Sequence, residues 1–332
     1  MLNLPLFVYP LSAGLVCGLL LLLLLRSRLA GRIVDRPNQR SLHEHPVPRI
    51  GGLALLGGAL PLAFAGGAPW QLLLLALFLL ALSLIDDIFG LSVRLRLAGH
   101  LFAALFLVFS LDAAPVSFFS LAAGCFACLA CAWMTNLYNF MDGSNGLAGG
   151  MAFFGFGALG LAAVAAGDAP LAVLGASLAV SALAFLRFNF HPARVFLGDC
   201  GAIPLGFLAA GIGLAGAQKG LWPWWFAPLV FAPFIIDATV TLLRRLLRGE
   251  RVWQAHREHY YQRLIRMGWS HRRTALAYYC AMFFAAAGAF AARFAADAGA
   301  DLAFVGILFL ELAGFVWAML AIDLAWRRRP QS

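Results

Sequence analysis

Apolar runs closed by charge or by Gly/Pro recur along the whole chain, at 4–25, 51–66, 70–85, 97–111, 116–137, 147–166, 169–186, 201–217, 222–243, 274–296 and 301–325. A bilayer core takes roughly 20 apolar residues to cross as a helix, so the pattern predicts an all-α polytopic membrane protein with about eleven transmembrane helices. The second run, rich in glycine, is the weakest candidate, and without it the count is ten. The first run carries its basic flank, Arg26 and Arg28, behind it, and reads as a spanning helix rather than a cleavable signal. No linker, low-complexity tract, soluble domain or inverted repeat interrupts the series, so residues 1–332 read as one membrane domain.

Composition agrees with the pattern. The chain is 63% hydrophobic and 12% charged, against about 45–50% apolar and about 25% charged in soluble domains, and its mean hydropathy is +0.86. A soluble enzyme is excluded. The net charge of +9 would suggest nucleic acid in a soluble protein, but here it follows the loops. Of 24 basic residues, 22 fall in 26–50, 86–96, 138–146, 187–200, 244–273 and the tail 326–332, leaving Lys219 and Arg293 for the other side. Under the positive-inside rule the N-terminus is outside, the C-terminus is cytoplasmic and those loops are cytoplasmic. The partner of the charge is the lipid bilayer, and no nucleic acid is expected. The six cysteines lie in apolar segments, so no disulfide framework is expected. Cys125, Cys128 and Cys131 share one helix face and read as packing residues.

Five polar constellations fall on the predicted cytoplasmic side. Asp86-Asp87 ends the third run, where paired carboxylates suit a hard cation. Asn139 to Gly146 holds Asp142 and Asn145 between glycines ahead of a helix start at Leu147, and such a start attracts anions. Asn189 and Asp199 lie in Phe188 to Ala202, with Asp199 between two glycines at the start of the next run. His256-Arg257-Glu258-His259 sits in the most basic loop, and a helix there would put His256 and His259 on one face. The first loop supplies Arg36, Arg40 and Arg49, and the loop at 86–96 supplies Arg94, as phosphate contacts. Carboxylates, arginines and glycine-rich helix starts together suit phosphoryl-type transfer with Mg²⁺ on a lipid substrate. The competing class is a transporter or flippase of an anionic or lipid-linked solute, built on the deep acids Asp237 and Glu311. Against it, the strongest polar set lies at helix ends rather than at midplane breaks, and an interhelical hydrogen bond is the plainer expectation for each of those two acids.

Asp86-Asp87 with Gly90-Leu91, the stretch Asn139 to Gly149, Phe196-Leu197-Gly198-Asp199 and His256-Arg257-Glu258-His259, in that order, resemble the signatures of the polyprenyl-phosphate N-acetylhexosamine-1-phosphate transferases. The resemblance runs from Asp35 to Leu264. Pro37-Asn38, Arg40-Ser41 and Pro46 to Arg49 look like the branch that starts O-antigen and capsule chains. The His256/His259 doublet, in place of a triple histidine, argues against the muramoyl-pentapeptide branch.

The resemblance implies a bacterial inner-membrane phosphotransferase with its active site on the cytoplasmic face. It would transfer sugar-1-phosphate from UDP-N-acetylhexosamine to undecaprenyl phosphate, releasing UMP, as the first membrane step of a cell-surface polysaccharide such as lipopolysaccharide. It also implies Mg²⁺, with Mn²⁺ as the alternative, held by Asp199 with Asp87. Asp86, Asp87 and Asp199 would be catalytic. Asn139, Asp142, Asn145, Asn189, Arg49, Arg94, His256, Arg257 and His259 would bind substrate, and a homodimer is compatible with the resemblance. Two positions depart from the pattern: Asn145 stands where many members carry an acid, and Ala202 where a serine is common.

Overall fold

The computed structural model describes residues 4–35, 37, 45–111, 118–252, 254 and 256–328, with side chains left undescribed at 118–120. Fourteen helices follow in order: α1 Pro5–Arg26, α2 Arg28–Arg32, α3 Gly51–Ala65, α4 Trp70–Phe89, α5 Val93–Leu111, α6 Phe118–Phe140, α7 Leu147–Ala165, α8 Ala169–Asn189, α9 Asp199–Gln218, α10 Phe226–Val230, α11 Ala232–Leu247, α12 Tyr260–Arg266, α13 His271–Asp297 and α14 Asp301–Arg327. Among the described residues the only strands are β1 Val34–Asp35 and β2 Val47–Pro48, an antiparallel pair with Val34 opposite Pro48. Among the described residues, nine of the helices are long and apolar enough to cross a membrane. The protein is an all-α polytopic membrane protein.

Each apolar run of the sequence has its helix, and two runs depart from simple spans. Helix α3 has 15 residues, about 22 Å at 1.5 Å per residue, short of a hydrocarbon core of about 30 Å. It is packed between α1, α8 and α9 instead of facing lipid. The run 222–243 breaks at Phe231 into α10 and α11. Pro233, second in α11, has no N–H to give to the turn before it, and a proline is tolerated in that first turn only. The residues flanking the break are apolar.

The core is a set of close helix contacts made by small residues. A Cβ on Gly52 would lie 2.3 Å from the Gly201 Cα, so α3 and α9 start backbone against backbone, and only glycine permits that approach. Helices α7 and α8 pack along their length, while α14 touches mainly α13 and α12 and buries none of its own residues. Since successive helices alternate in direction, the C-terminal ends of α4, α6, α8, α11 and α14 share one end of the bundle with the N-terminal starts of α3, α5, α7, α9 and α13. Every polar constellation of the sequence lies at that end. The cysteines are all free; the α6 stripe runs from exposed Cys125 to fully buried Cys131.

Candidate active site

Backbone hydrogen bonds bring the first loop against the start of α9. Arg49 N–H donates to the Ile33 carbonyl (2.9 Å), Phe196 N–H to Pro48 (2.8 Å), and Gly51 and Gly52 N–H to Phe196 and Leu197 (2.9 and 2.8 Å). Gly198 then turns the chain into α9 with φ +75°, and a Cβ there would sit 2.9 Å from the Arg49 carbonyl. The result is that Arg49 and Asp199, 150 positions apart, meet beside the end of α4.

There the acids converge. Asp86 is held at both oxygens: Oδ1 accepts from Leu91 N–H (2.7 Å) and Oδ2 from the Arg96 guanidinium (3.0 Å). Asp87 Oδ1 faces Arg49 Nη2 at 3.3 Å, with the carboxylate side chain only 6% exposed. Its other oxygen is buried with no hydrogen-bond partner, as is Arg49 Nε. The Asn139 side chain hydrogen-bonds Asp199, and Arg49, Arg96 and Asp86 all bear electrostatically on that acid. Asp142 accepts from the Gly198 N–H. Burial, and then the Asp199 and Asp35 carboxylates, push Asp142 well above the ordinary carboxylate range, against the opposing pull of Gly198 N–H and Arg49. Four carboxyl groups from α4, the α6–α7 turn and α9 thus face two guanidiniums.

That donor set fits a hard cation. Among the described residues no three His, Cys, Asp or Glu side chains converge closely enough to surround an ion alone. Mg²⁺ characteristically takes one or two carboxylates and completes its octahedron with water and phosphate oxygens. Asp199 and Asp87, the latter with an unpartnered buried oxygen, are the residues able to hold it.

The remaining candidates divide into those facing this cluster and those bracing it. Asn189 is 3% exposed; its Oδ1 accepts from Gly146 N–H (2.9 Å) and its Nδ2 donates to the Val195 carbonyl (2.9 Å). Both ends of the amide are spent on backbone, so Asn189 ties the two loops together rather than presenting a free group. Asn145 pairs with His191 Nδ1 (3.1 Å), Ser144 with His271 Nδ1 (2.9 Å), and the two imidazoles stack 5.8 Å apart. Arg94 is exposed, without an ion pair among the described residues, and it is Arg96 that reaches Asp86. Arg36 and Arg40 lie outside the described residues.

The histidine segment is not helical, contrary to the sequence expectation. Helix α12 begins only at Tyr260, after His259 in an extended conformation (φ −56°, ψ 148°). The cause is Asp237 of α11, whose carboxylate accepts from the N–H groups of Tyr260 (2.9 Å) and Tyr261 (3.2 Å), from the Tyr278 hydroxyl (2.5 Å) and from Thr241 (3.3 Å). An acid at a helix start satisfies orphan N–H groups and complements the dipole. His259 Nδ1 lies 3.4 Å from the same carboxylate, a long contact. The loop still brings the rings of His256 and His259 within 4.8 Å. Glu258 N–H donates to His256 Nδ1 (3.3 Å), which leaves Nε2 as the ring's remaining polar atom. Tyr261 links this segment to the acids by donating to the Phe140 carbonyl (3.0 Å). The Arg257 side chain has no partner among the described residues, and its carbonyl accepts from Arg266 (3.1 Å).

Of the two deep acids, Asp237 makes the interhelical bonds expected of it, to Tyr278 on α13 and to the start of α12. Glu311 does not: both its oxygens are buried against α13 without a hydrogen bond, and a Cβ on Gly288 would collide with the carboxylate. Sequence reasoning missed Arg96, the start of α12 as a partner of Asp237, and the His191/His271 pair.

Comparison with known proteins bears on this site. The model of the family described as Glycosyl transferase family 4 matches residues 69–217. The chain is 29% identical over 263 residues to the probable undecaprenyl-phosphate N-acetylglucosaminyl 1-phosphate transferase of Bacillus subtilis, covering 74% of this chain and 73% of that one. It is 32% identical over 302 residues to the decaprenyl-phosphate N-acetylglucosaminephosphotransferase of Mycobacterium tuberculosis (77% and 74% covered). A third relative, the undecaprenyl-phosphate alpha-N-acetylglucosaminyl 1-phosphate transferase of Yersinia pestis, is 28% identical over 274 residues (73% and 72%).

Proposed function

The chain belongs to glycosyl transferase family 4, among the polyprenyl-phosphate N-acetylhexosamine-1-phosphate transferases, and from that membership we propose that it transfers N-acetylglucosamine-1-phosphate from the UDP-sugar to undecaprenyl phosphate, releasing UMP. The reaction opens a cell-surface polysaccharide at the cytoplasmic face of the inner membrane, the side to which the 22-to-2 division of basic residues assigns the site. The observation that carries the reading is the meeting of Asp86, Asp87, Asp142 and Asp199 with Arg49 and Arg96 at one end of the bundle.

A phosphate monoester has its second pKa near about 6, so the lipid phosphate arrives largely dianionic and needs no strong base. Asp86, with both oxygens already accepting hydrogen bonds, acts as a positioning group. The harder task is bringing that dianion onto a diphosphate. Arg49, Arg96 and Arg257 offset the repulsion, and the starts of α7 and α9 direct backbone N–H groups at the same region. His256 contacts the diphosphate or sugar, and His259, 3% exposed and stacked against Phe140 and Tyr261, supports it from behind. Mg²⁺ held by Asp199 and Asp87 would supply Lewis-acid stabilisation of the charge on the transferred phosphate.

Purified protein incubated with undecaprenyl phosphate and a panel of UDP-amino sugars tests the reading. UMP is the expected product, highest with UDP-N-acetylglucosamine; UDP in its place would mean direct glycosyl transfer and end the proposal.

A further inference from the structure

A prominent opening lies away from the carboxylates. A cleft of about 720 Å³ lies between α11, α12, α13 and α14, with Asp237, Tyr260, Trp269, Phe315 and Arg328 among its walls. A second one of about 580 Å³ adjoins it, sharing Ala281, Phe315 and Ala318, and runs on to Glu311. Both exist because α14 stands off the bundle and buries none of its residues. Protein interiors are close-packed, and a mostly apolar cleft of this size in a membrane-spanning chain is filled by something apolar.

Its dimensions and charge identify the occupant. From Arg328 to Phe315 along α14 is 13 residues, about 20 Å at 1.5 Å each. That is half of a hydrocarbon core of about 30 Å plus its interfacial layer. The mouth is basic. Asp323 pairs with Arg244 and Arg263 (2.6 and 2.8 Å), while Arg266, Arg273 and Arg328 have no acidic partner among the described residues. Arg273 lies 4.0 Å over the Trp269 ring and Arg266 4.7 Å over Trp326, as arginines and tryptophans do at headgroup depth. None of the acids proposed for transfer lines the cleft, which separates it from the acceptor's reacting phosphate.

We propose that this cleft binds an anionic phospholipid of the surrounding bilayer, with its phosphate at Arg328 and one acyl chain along Phe315 and Ala318. The cleft wall includes Asp237 and Tyr260, the groups that fix the start of α12 and with it the His256–His259 segment. The bound lipid therefore braces that segment through Asp237 and Tyr260. The inference does not depend on the donor or acceptor named above.

The test is made in nanodiscs of phosphatidylglycerol or phosphatidylcholine. Native mass spectrometry reads retained lipid, and hydrogen exchange reads residues 256–266. Phosphatidylglycerol is expected to stay bound and to raise protection of 256–266. Ala318→Phe, which fills the cleft, abolishes retention. Arg328→Gln, at an exposed helix end with no partner to lose, weakens it about fivefold, as for one basic side chain near an anionic surface. Both readouts are independent of turnover. Equal retention of the two lipids, unchanged retention in both variants, or displacement of phosphatidylglycerol by undecaprenyl phosphate would each overturn the proposal, the last by giving the cleft to the acceptor.

Discussion

Asp237→Asn tests whether the histidine segment is held by one buried charge. The residue is 4% exposed and its carboxylate gathers the N–H groups of Tyr260 and Tyr261 and the hydroxyl of Tyr278. Asparagine keeps the size but turns one acceptor into a donor. The Tyr278 hydroxyl can rotate to accept from the new amide; a backbone N–H cannot. Hydrogen bonds to a charged group are worth roughly 1.5–3 kcal/mol each, and a buried donor left unsatisfied costs about 1–3 kcal/mol. One such loss with partial weakening of the other bonds gives about 2–4 kcal/mol, concentrated on α12. At 1.4 kcal/mol per decade that is roughly thirtyfold or more in local opening. Hydrogen exchange over Tyr260–Arg266 should accelerate accordingly, and kcat for UMP release should fall while the protein still inserts and stays monodisperse. Parent-like protection and turnover in Asp237→Asn would refute the claim that Asp237 orients His256 and His259.

Asp199→Asn removes a charge from the cation-binding pair and should cost at least about a hundredfold in turnover, since such groups supply several kcal/mol at about 1.36 kcal/mol per decade; Asn145→Ala, losing a neutral contact to His191, should cost less. Arg96→Gln frees Asp86 Oδ2 and should depress turnover by about tenfold or more, as for a lost charged hydrogen bond, whereas Arg94→Gln should leave it near the parent; the reverse order would mean that Arg94 is the substrate contact. His256 is pushed down to about 4 from an ordinary 6.5, first by burial and then by His259 and Arg245. The unfolded chain therefore takes up that proton before the folded one does. The associated stability is whole above pH 6.5, is lost as pH falls towards 4 and amounts to about 1–2 kcal/mol once the half-exposed ring is discounted for screening. Melting temperature against pH should flatten over that window in His256→Gln.

The helices were legible because hydropathy and charge separate cleanly along the chain: each apolar run has its helix, and Leu147 and Asp199 begin α7 and α9 as the glycines before them suggested. The break at Phe231 was written in Pro233 but hidden by the apolar residues on both sides of it. The convergence of candidate residues was legible where their own helix ends announce them, as for Asp86, Asp87 and Asp199. They were not legible where direction decides. Arg94 and Arg96 are two positions apart on α5, so they point about 200° from one another, and nothing in a single sequence says which faces the acids. Nor does spacing say that the start of α12 is set by a carboxylate 23 positions upstream, which is why the histidines form a loop instead of a helix face. Asn189 looked like a ligand for the same reason; its polarity was visible, but not the two backbone groups that consume it.

The acids are unequally supported by their own helices. Asp199 is the first residue of α9, where the helix dipole favours a negative charge, while Asp86 and Asp87 close the last turn of α4, where it opposes one. The compensation for Asp86 and Asp87 comes from elsewhere, Arg96 from α5 and Arg49 from the first loop, and a bound cation would add to it. Arg49 is poorly placed to do it alone, with a single contact at 3.3 Å and its Nε buried without a partner. Binding of a divalent ion to the folded state alone would stabilise the fold by linkage, about 2.7 kcal/mol at a hundred times Kd. The melting temperature in detergent should rise with Mg²⁺ and saturate. Asp87→Asn removes the least compensated charge, so it should hold or raise the metal-free melting temperature while abolishing most of the Mg²⁺-dependent rise. A parent-like Mg²⁺ response in both Asp87→Asn and Asp199→Asn would mean that the ion binds elsewhere, and the carboxylate cluster would then be left to the arginines.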